Sequence, residues 1–178
     1  LTFVANRFGE ASVEDAYAHV LAPYLKERYQ PFDVRVRPYE ETFYRNVYLT
    51  FEAMRGHLCG PGRDGELGVT EDDEKVTVSF DPCGSGNRAI RGDLVEGTPS
   101  RMLAPYNFGV TTREHDWAWN KTGINYYCAH CCYALEYWPA HQWGHPLRVV
   151  DPPRYPDDAS GAVPKKCSWT MYKSLDVI

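Results

Sequence analysis

The sequence has no surplus of basic residues: 19 Lys and Arg stand against 24 Asp and Glu, for a formal net charge of −5. A protein dedicated to nucleic acid usually carries a basic stripe, so nucleic acid is not an expected partner. No apolar run approaches the roughly 20 residues of a membrane helix, so a membrane is not expected either. Repeats and low-complexity tracts are also lacking. The 178 residues suit one soluble domain with a core of its own, and leave a homo-oligomer open.

The six cysteines do not have the spacing of a disulfide framework, because Cys131 and Cys132 are adjacent and make awkward partners for each other. Three of the six fall within residues 127–132 (YCAHCC), where His130 lies inside a C-x2-C pair that begins at Cys128. Soft thiolate and imidazole ligands gathered in this way suit zinc, an iron–sulfur cluster or a reactive thiol. We therefore expect a reducing, cytoplasmic setting.

Hydrophobic periodicity predicts helices early in the chain and strands later. Apolar stripes predict one helix from residue 12, with a kink or break at Pro23, and a second over residues 43–58. Alternating apolar and polar residues predict strands at residues 32–37, 75–80, 146–150 and 167–172. The expected fold is a single α+β domain with an antiparallel sheet and helices packed on one side. Its N-terminal helices would span about 12–58 and its strand and loop region about 66–178.

The cysteine run is expected to open a helix from Cys128 to Trp138, because Pro139 is the first breaker that follows. Thiols at the start of a helix meet the positive end of its dipole, which stabilises thiolates. Glu136 lies one turn beyond Cys132 and would point back toward the cluster.

The glycine-rich loop of residues 81–88 (DPCGSGNR) is predicted to form the second half of the site. Its glycines let backbone N–H groups turn toward one point, which suits an anion or a developing negative charge beside Cys83. Two arginines follow closely and would hold a substrate carboxylate through paired hydrogen bonds. The predicted substrate-binding residues are Gly84, Gly86, Arg88 and Arg91.

Zinc is the cofactor that these residue types favour, with an iron–sulfur cluster as the alternative. The predicted metal ligands are Cys83, His115, Cys128 and Cys131. His130 is an alternative ligand or a general base, and Cys132 is an ambiguous ligand or nucleophile. Four protein ligands would make the zinc structural, whereas three ligands and a water would make it catalytic. Cys59 and Cys167 are expected in or near the core.

Three cysteine motifs follow one another along the chain: residues 81–86 (DPCGSG), Cys128-x-His130-Cys131, and a terminal Cys167-x-Trp169 strand. Together with residues 7–10 (RFGE) before the first helix, they resemble the L-2-amino-thiazoline-4-carboxylic acid hydrolase-like proteins. The likeness covers roughly residues 75–173, with Asn87 where another glycine is expected. It implies a hydrolase that acts on a small ring.

The expected function is hydrolysis of a small C=N heterocycle or amide-like substrate that bears a carboxylate. In the first version a zinc-bound water attacks, while His130 and Glu136 act as catalytic residues that move protons. In a metal-free version, a hydrolase or lyase, Cys83 or Cys131 is the covalent nucleophile and His130 its base. The third hypothesis is a non-catalytic sensor or binding module whose cysteines hold structural zinc or an iron–sulfur cluster.

Overall fold

The computed structural model describes residues 1–58, 66–93, 96–156 and 165–178. Its first part is helical: α1 spans Thr2–Phe8, α2 spans Ala11–Arg28 and α3 spans Tyr39–Leu58. The later helices are α4 (Gly86–Arg91), α5 (Ala129–Cys132) and α6 (Trp138–Trp143), with a π-helical turn over Tyr133–Tyr137. None of the helices in the described ranges combines the length and the apolar composition of a membrane span.

The helices depart from the sequence prediction at their ends and at the prolines. The prediction of α3 is confirmed, but α1 is too short to show a periodic pattern and was not predicted. α2 continues through Pro23 because its buried side chains Val13, Tyr17 and Leu25 hold both halves against the core. The predicted end of the later helix before Pro139 is also wrong, since this residue lies in the first turn of α6, where a proline is tolerated.

The predicted strand at residues 32–37 is wrong. The chain instead makes a short 3₁₀ turn at Gln30–Phe32 and then a tight turn. Asp33 is the cause, because its carboxylate accepts hydrogen bonds from the backbone N–H and the guanidinium of Arg35. Local bonds of this kind compete with strand pairing.

The sheet is antiparallel throughout and confirms the predicted α+β class. Among the described residues it contains β1 (Glu66–Glu71), β2 (Lys75–Asp81), β3 (Val149–Asp151) and β4 (Cys167–Tyr172), in the order β1-β2-β4-β3. β2 and β4 match the predicted strands, and β3 covers only the end of the predicted 146–150 strand. β1 was missed because it is an exposed edge strand without a buried alternating face.

One face of the sheet is buried against the helices. Alternate residues of β2 and β4 are buried, and those between them are partly exposed. α3 contacts β4 on the buried face, where the Thr50 hydroxyl lies 3.1 Å from Met171 Sδ. In the β2–β4 register Phe80 pairs with Cys167. This pairing puts the first residue of β4 beside the loop that follows β2.

Candidate active site

Cys83 lies in the loop between β2 and α4, where backbone and side-chain donors surround its sulfur. The Ser85 N–H donates to Cys83 Sγ at 3.4 Å, and the Ser85 hydroxyl lies 3.7 Å away. The buried Asn87 fastens the loop, since its Oδ1 accepts from the Cys83 N–H at 3.3 Å and its Nδ2 donates to the Lys165 carbonyl at 3.1 Å. The residue that replaces the expected glycine therefore holds the loop in shape.

The Cys83 thiol has a pKa well below that of an ordinary cysteine. The largest cause is a hydrogen bond from the Cys167 thiol, which outweighs the opposing effect of burial; the N–H groups of Ser85 and Gly86 add to it. Donors favour the charged form of an acceptor, so these groups favour ionisation of the Cys83 thiol. The pKa of Cys167 is raised in turn, because its thiol is the hydrogen-bond donor to Cys83 and because its side chain is buried.

Four cysteines line one small cavity of about 40 Å³ next to Cys83, which we call the thiol cavity. They are Cys83, Cys128, Cys131 and Cys167, and His130 and Ser85 complete its polar lining. The predicted trio of cysteines is thus brought together. Cys167 is buried as expected, but it also belongs to the site.

The start of α5 places Cys128 and Cys131 one turn apart on the same face. Asn125 holds this helix start, because its Oδ1 accepts from the N–H groups of Tyr127 at 2.9 Å and Cys128 at 3.4 Å. Burial raises the pKa of both thiols. Repulsion from Cys131 raises the pKa of Cys128 further, and repulsion from Cys83 raises that of Cys131. Ionisation of Cys128 and Cys131 is therefore disfavoured relative to that of Cys83.

His130 and Cys131 form a hydrogen-bonded pair at the edge of the thiol cavity. The imidazole Nδ1 bonds to the Tyr127 carbonyl, so it carries the proton and leaves Nε2 as the acceptor. His130 Nε2 lies 3.4 Å from Cys131 Sγ. The pair is thus arranged to pass a proton between sulfur and nitrogen.

The other predicted cluster members lie elsewhere, each with a partner distant in sequence. A helix turns about 100° per residue, so Cys132 points away from Cys131. The Cys132 sulfur lies 3.2 Å from the backbone nitrogen of Trp119 and 3.3 Å from the Asp116 carbonyl. Glu136 accepts from the Trp119 indole at 2.6 Å and the Val150 N–H at 2.7 Å, and burial raises its pKa. It tethers β3 to the helix and does not line the thiol cavity.

His115, the predicted fourth zinc ligand, lies 2.8 Å from Glu10 through its Nε2 and stacks on Trp117. In the described ranges, no group of three or more His, Cys, Asp or Glu side chains is arranged to hold a metal ion. His115 is thus not among the residues that line the thiol cavity, and the zinc centre stays a prediction. The expected core position of Cys59 lies outside the described residues.

The two arginines that were predicted to bind a substrate carboxylate both contact aspartates of the protein itself. Arg91 Nη1 lies 2.5 Å from Asp81 Oδ1, and Arg91 Nη2 donates to the Lys165 carbonyl at 3.0 Å. Arg88 Nε lies 3.8 Å from Asp93 Oδ2. Gly84 lies beside Arg88 in a separate open cavity that does not include Cys83.

A larger cavity of about 240 Å³, which we call the apolar cavity, adjoins the thiol cavity. His130, Cys131 and Trp169 line both, so these three side chains stand between the two spaces. α2 and α3 supply half of the remaining lining residues. Arg148 also lines it and was missed from the sequence, because a basic residue in an alternating segment resembles the solvent-facing position of a strand.

The Glu10 carboxylate, at the start of α2, makes several hydrogen bonds to the later part of the chain, including the loop that contains His115. It accepts from the Thr112 N–H and hydroxyl at 2.7 Å each, and from the Tyr126 hydroxyl at 3.0 Å. Burial opposes ionisation, but the bonds from Thr112, His115 and Tyr126 outweigh it and lower the pKa of Glu10 from 4.5 to about 2. Glu10→Gln should lower the free energy of unfolding by about 2 kcal/mol at neutral pH, because charged hydrogen bonds are lost.

The pH dependence of this effect has a defined sign. The folded pKa of Glu10 is below the unfolded one, so its stabilisation is present above about pH 4.5 and is lost as the pH falls toward 2. Urea denaturation at neutral and acidic pH should show a smaller acid loss in Glu10→Gln than in wild type. The exposed Asp15→Asn is the matched control; an equal acid loss in wild type and Glu10→Gln would contradict the assignment.

Comparison of the chain with protein-family models, curated proteins and solved structures found no match. The resemblance to the thiazoline-carboxylate hydrolase-like proteins therefore stays a prediction. The function has to be argued from the site alone.

Proposed function

We propose that this protein is a metal-free, cysteine-dependent hydrolase that cleaves a C–N bond of a small substrate bearing a carboxylate, with Cys83 as the nucleophile. The observation that carries the proposal is the position of the Cys83 sulfur, which accepts from the Ser85 N–H at 3.4 Å and lines a cavity together with His130 and three other cysteines. A nucleophile needs activation by a base or by a lowered pKa. Cys83 has the second, and it faces a cavity rather than solid core.

The thiol cavity has room for the reacting group only, so the rest of the substrate occupies the adjoining apolar cavity. The Cys83 thiolate attacks the carbon of the C–N unit and forms a C–S bond. The nitrogen leaves with the electron pair of the C–N bond and takes a proton from the His130–Cys131 pair. Water then attacks the sulfur-bound carbon, the C–S bond breaks to regenerate the Cys83 thiolate, and a proton from that water returns to the pair.

The hydrolase proposal needs no metal, because the Cys83 sulfur itself is the nucleophile. Of the four predicted zinc ligands, His115 is bonded to Glu10 instead. Zinc or an iron–sulfur cluster on the cavity cysteines remains a separate prediction. Metal analysis and the colour of the purified protein test it, and one equivalent of zinc or iron lost on Cys83→Ser would contradict the metal-free proposal.

The thiolate itself can be tested without knowledge of the substrate. Ultraviolet absorbance of the purified, reduced protein should show about one thiolate equivalent already at neutral pH, with Cys128, Cys131 and Cys167 titrating above the ordinary cysteine range. Cys83→Ser should remove the low-pH step. Mass mapping after brief treatment with methyl methanethiosulfonate should find Cys83 modified before the other cavity cysteines.

Cys132→Ser is the matched control, because this thiol lies outside the thiol cavity and is bonded to the Asp116 and Trp119 backbone. It should leave the low-pH step unchanged. A low-pH step that survives in Cys83→Ser, or its absence from wild type, would refute Cys83 as the nucleophile.

A further inference from the structure

The apolar cavity contains a buried positive charge without a matching negative one. The Arg148 side chain reaches it from the segment before β3, and only 7% of this residue is exposed. Its Nε donates to Asn46 Oδ1 at 3.0 Å, and its guanidinium lies over the Trp169 ring at 5.3 Å from the centroid. Those contacts orient the guanidinium but leave its charge uncompensated.

No carboxylate pairs with Arg148 in the described part of the chain. The ionisable groups that act on its pKa are Tyr29, Cys131 and Arg28, and none of these is Asp or Glu. The residues that line the apolar cavity also include no acid. Burial lowers the pKa of Arg148 to about 10, which still leaves it charged at neutral pH. An unpaired buried charge is costly, and a ligand that supplies the opposite charge removes that cost.

We propose that the apolar cavity binds a small, mostly apolar carboxylate, and that Arg148 is the residue that holds its carboxylate group. Asn46 acts as a positioning residue, because its Oδ1 fixes the Arg148 Nε while its Nδ2 donates to the Leu147 carbonyl at 2.8 Å. This arrangement leaves the two terminal nitrogens of the guanidinium for the ligand. They form a planar fork that matches a carboxylate in two parallel hydrogen bonds.

The walls define the rest of the ligand. Leu25, Phe32 and Leu135 give the cavity an apolar surface, and about 240 Å³ accommodates one substituted ring. The wall also carries His130 and Cys131, which line the thiol cavity as well. The inference rests on the proposed function for the orientation of the ligand, with its reactive end toward Cys83, but not for binding itself.

The test is a fluorine NMR titration with 4-fluorobenzoate and its neutral match 4-fluorobenzamide. Wild type should bind the acid about 10-fold or more tightly than the amide, since charge-assisted hydrogen bonds are lost in the amide. Arg148→Met should remove this preference while its melting temperature stays at or above that of wild type, because the unpaired buried charge is gone. Arg148→Lys keeps the charge without the fork and should give an intermediate affinity.

Arg45→Met is the matched control, since Arg45 is exposed on α3 and does not line the apolar cavity. It should keep the preference for the acid. Equal affinity of wild type for acid and amide, or loss of the preference in Arg45→Met but not in Arg148→Met, would overturn the assignment. If Arg148→Met does not fold, the wild-type preference together with Arg148→Lys still decides the question.

Failure of this inference is distinguishable from failure of the hydrolase proposal. Cys83→Ser should bind 4-fluorobenzoate as wild type does, because Cys83 does not line the apolar cavity. If wild type binds the acid but Cys83 is not a thiolate, the carboxylate site is supported and the hydrolase proposal is contradicted. If Cys83 is a thiolate but the acid does not bind, the hydrolase proposal stands and the carboxylate site is contradicted.

Discussion

Cys167→Ala is expected to slow the reaction of Cys83 with a small thiol reagent about 10-fold or more at slightly acidic pH, because a hydrogen bond to a charged group contributes about 1.5–3 kcal/mol. The Cys167 thiol is the largest single cause of the lowered pKa of Cys83. Without it, the donors at the sulfur are the N–H groups of Ser85 and Gly86 and the Ser85 hydroxyl. The low-pH step in thiolate absorbance should move toward the ordinary cysteine range.

Cys167→Ser is the informative comparison, because a hydroxyl can still donate to the Cys83 sulfur. It should restore much of the reaction rate that Cys167→Ala loses. The reaction at alkaline pH, where Cys83 is ionised in every variant, should differ little and so report any general change in access. Equal rates for wild type and Cys167→Ala at acidic pH would show that the backbone N–H groups alone hold the thiolate.

Gly86→Ala is expected to lower the free energy of unfolding by about 2 kcal/mol, as overpacking of a tight core site does. A Cβ at this position would lie 2.8 Å from Cys128 Sγ and 3.3 Å from Pro153 Cγ. The first distance is shorter than real Cβ contacts, so the buried Cys128 sulfur or one of the two helix starts has to move. Glycine is thus required here by the close approach of two helix starts rather than by its own backbone angles.

A double-mutant cycle separates this contact from general strain. Cys128→Ala alone should destabilise the protein by removing a buried side chain. In the double variant the added Cβ no longer meets a sulfur, so the two effects should sum to more than the double variant shows. Urea denaturation measures all four proteins. Strict additivity would mean that Pro153 or the α4 backbone, and not Cys128, limits the space at Gly86.

The fold could be predicted where a local pattern and its burial agree. The α3 stripe and the alternation in β2 and β4 are signals of this kind, since one face of each is buried. The segment at residues 32–37 alternates as well, but the Asp33 carboxylate bonds locally, and none of the strands in the described ranges pairs with it. Of the kink or break predicted at Pro23, the break is wrong, because packing of α2 on both sides of the proline offsets one lost hydrogen bond.

The site could be predicted only in part, for a related reason. Thiols are small and suited to burial, so Cys83, Cys128 and Cys131 converge as their type suggested. His115 and Glu136 were assigned to the same cluster from their nearness in sequence. Their actual partners, Glu10 and the Val150 N–H, are distant along the chain and carry no sequence signal.

Arg148 was overlooked for a different reason: in the described residues no Asp or Glu acts on its pKa, and the sequence does not reveal this. The sequence does not distinguish a buried arginine from one on the surface. Arg148 is recognised only in the structure, by its burial and by the lack of an acid beside it among the described residues. Arg88 and Arg91 were better candidates in the sequence because they follow the glycine loop. The structure gives both of them nearby carboxylates, Asp93 and Asp81.

The pairing of Phe80 with Cys167 has a consequence for the life of the chain before it folds. Cys167, the largest cause of the lowered Cys83 pKa, belongs to a strand that is synthesised much later than the Cys83 loop. On the proposed function, Cys83 is therefore expected to be an ordinary thiol until β4 has joined β2. Its reactivity should then report completed long-range sheet assembly, and it should be lost in step with unfolding.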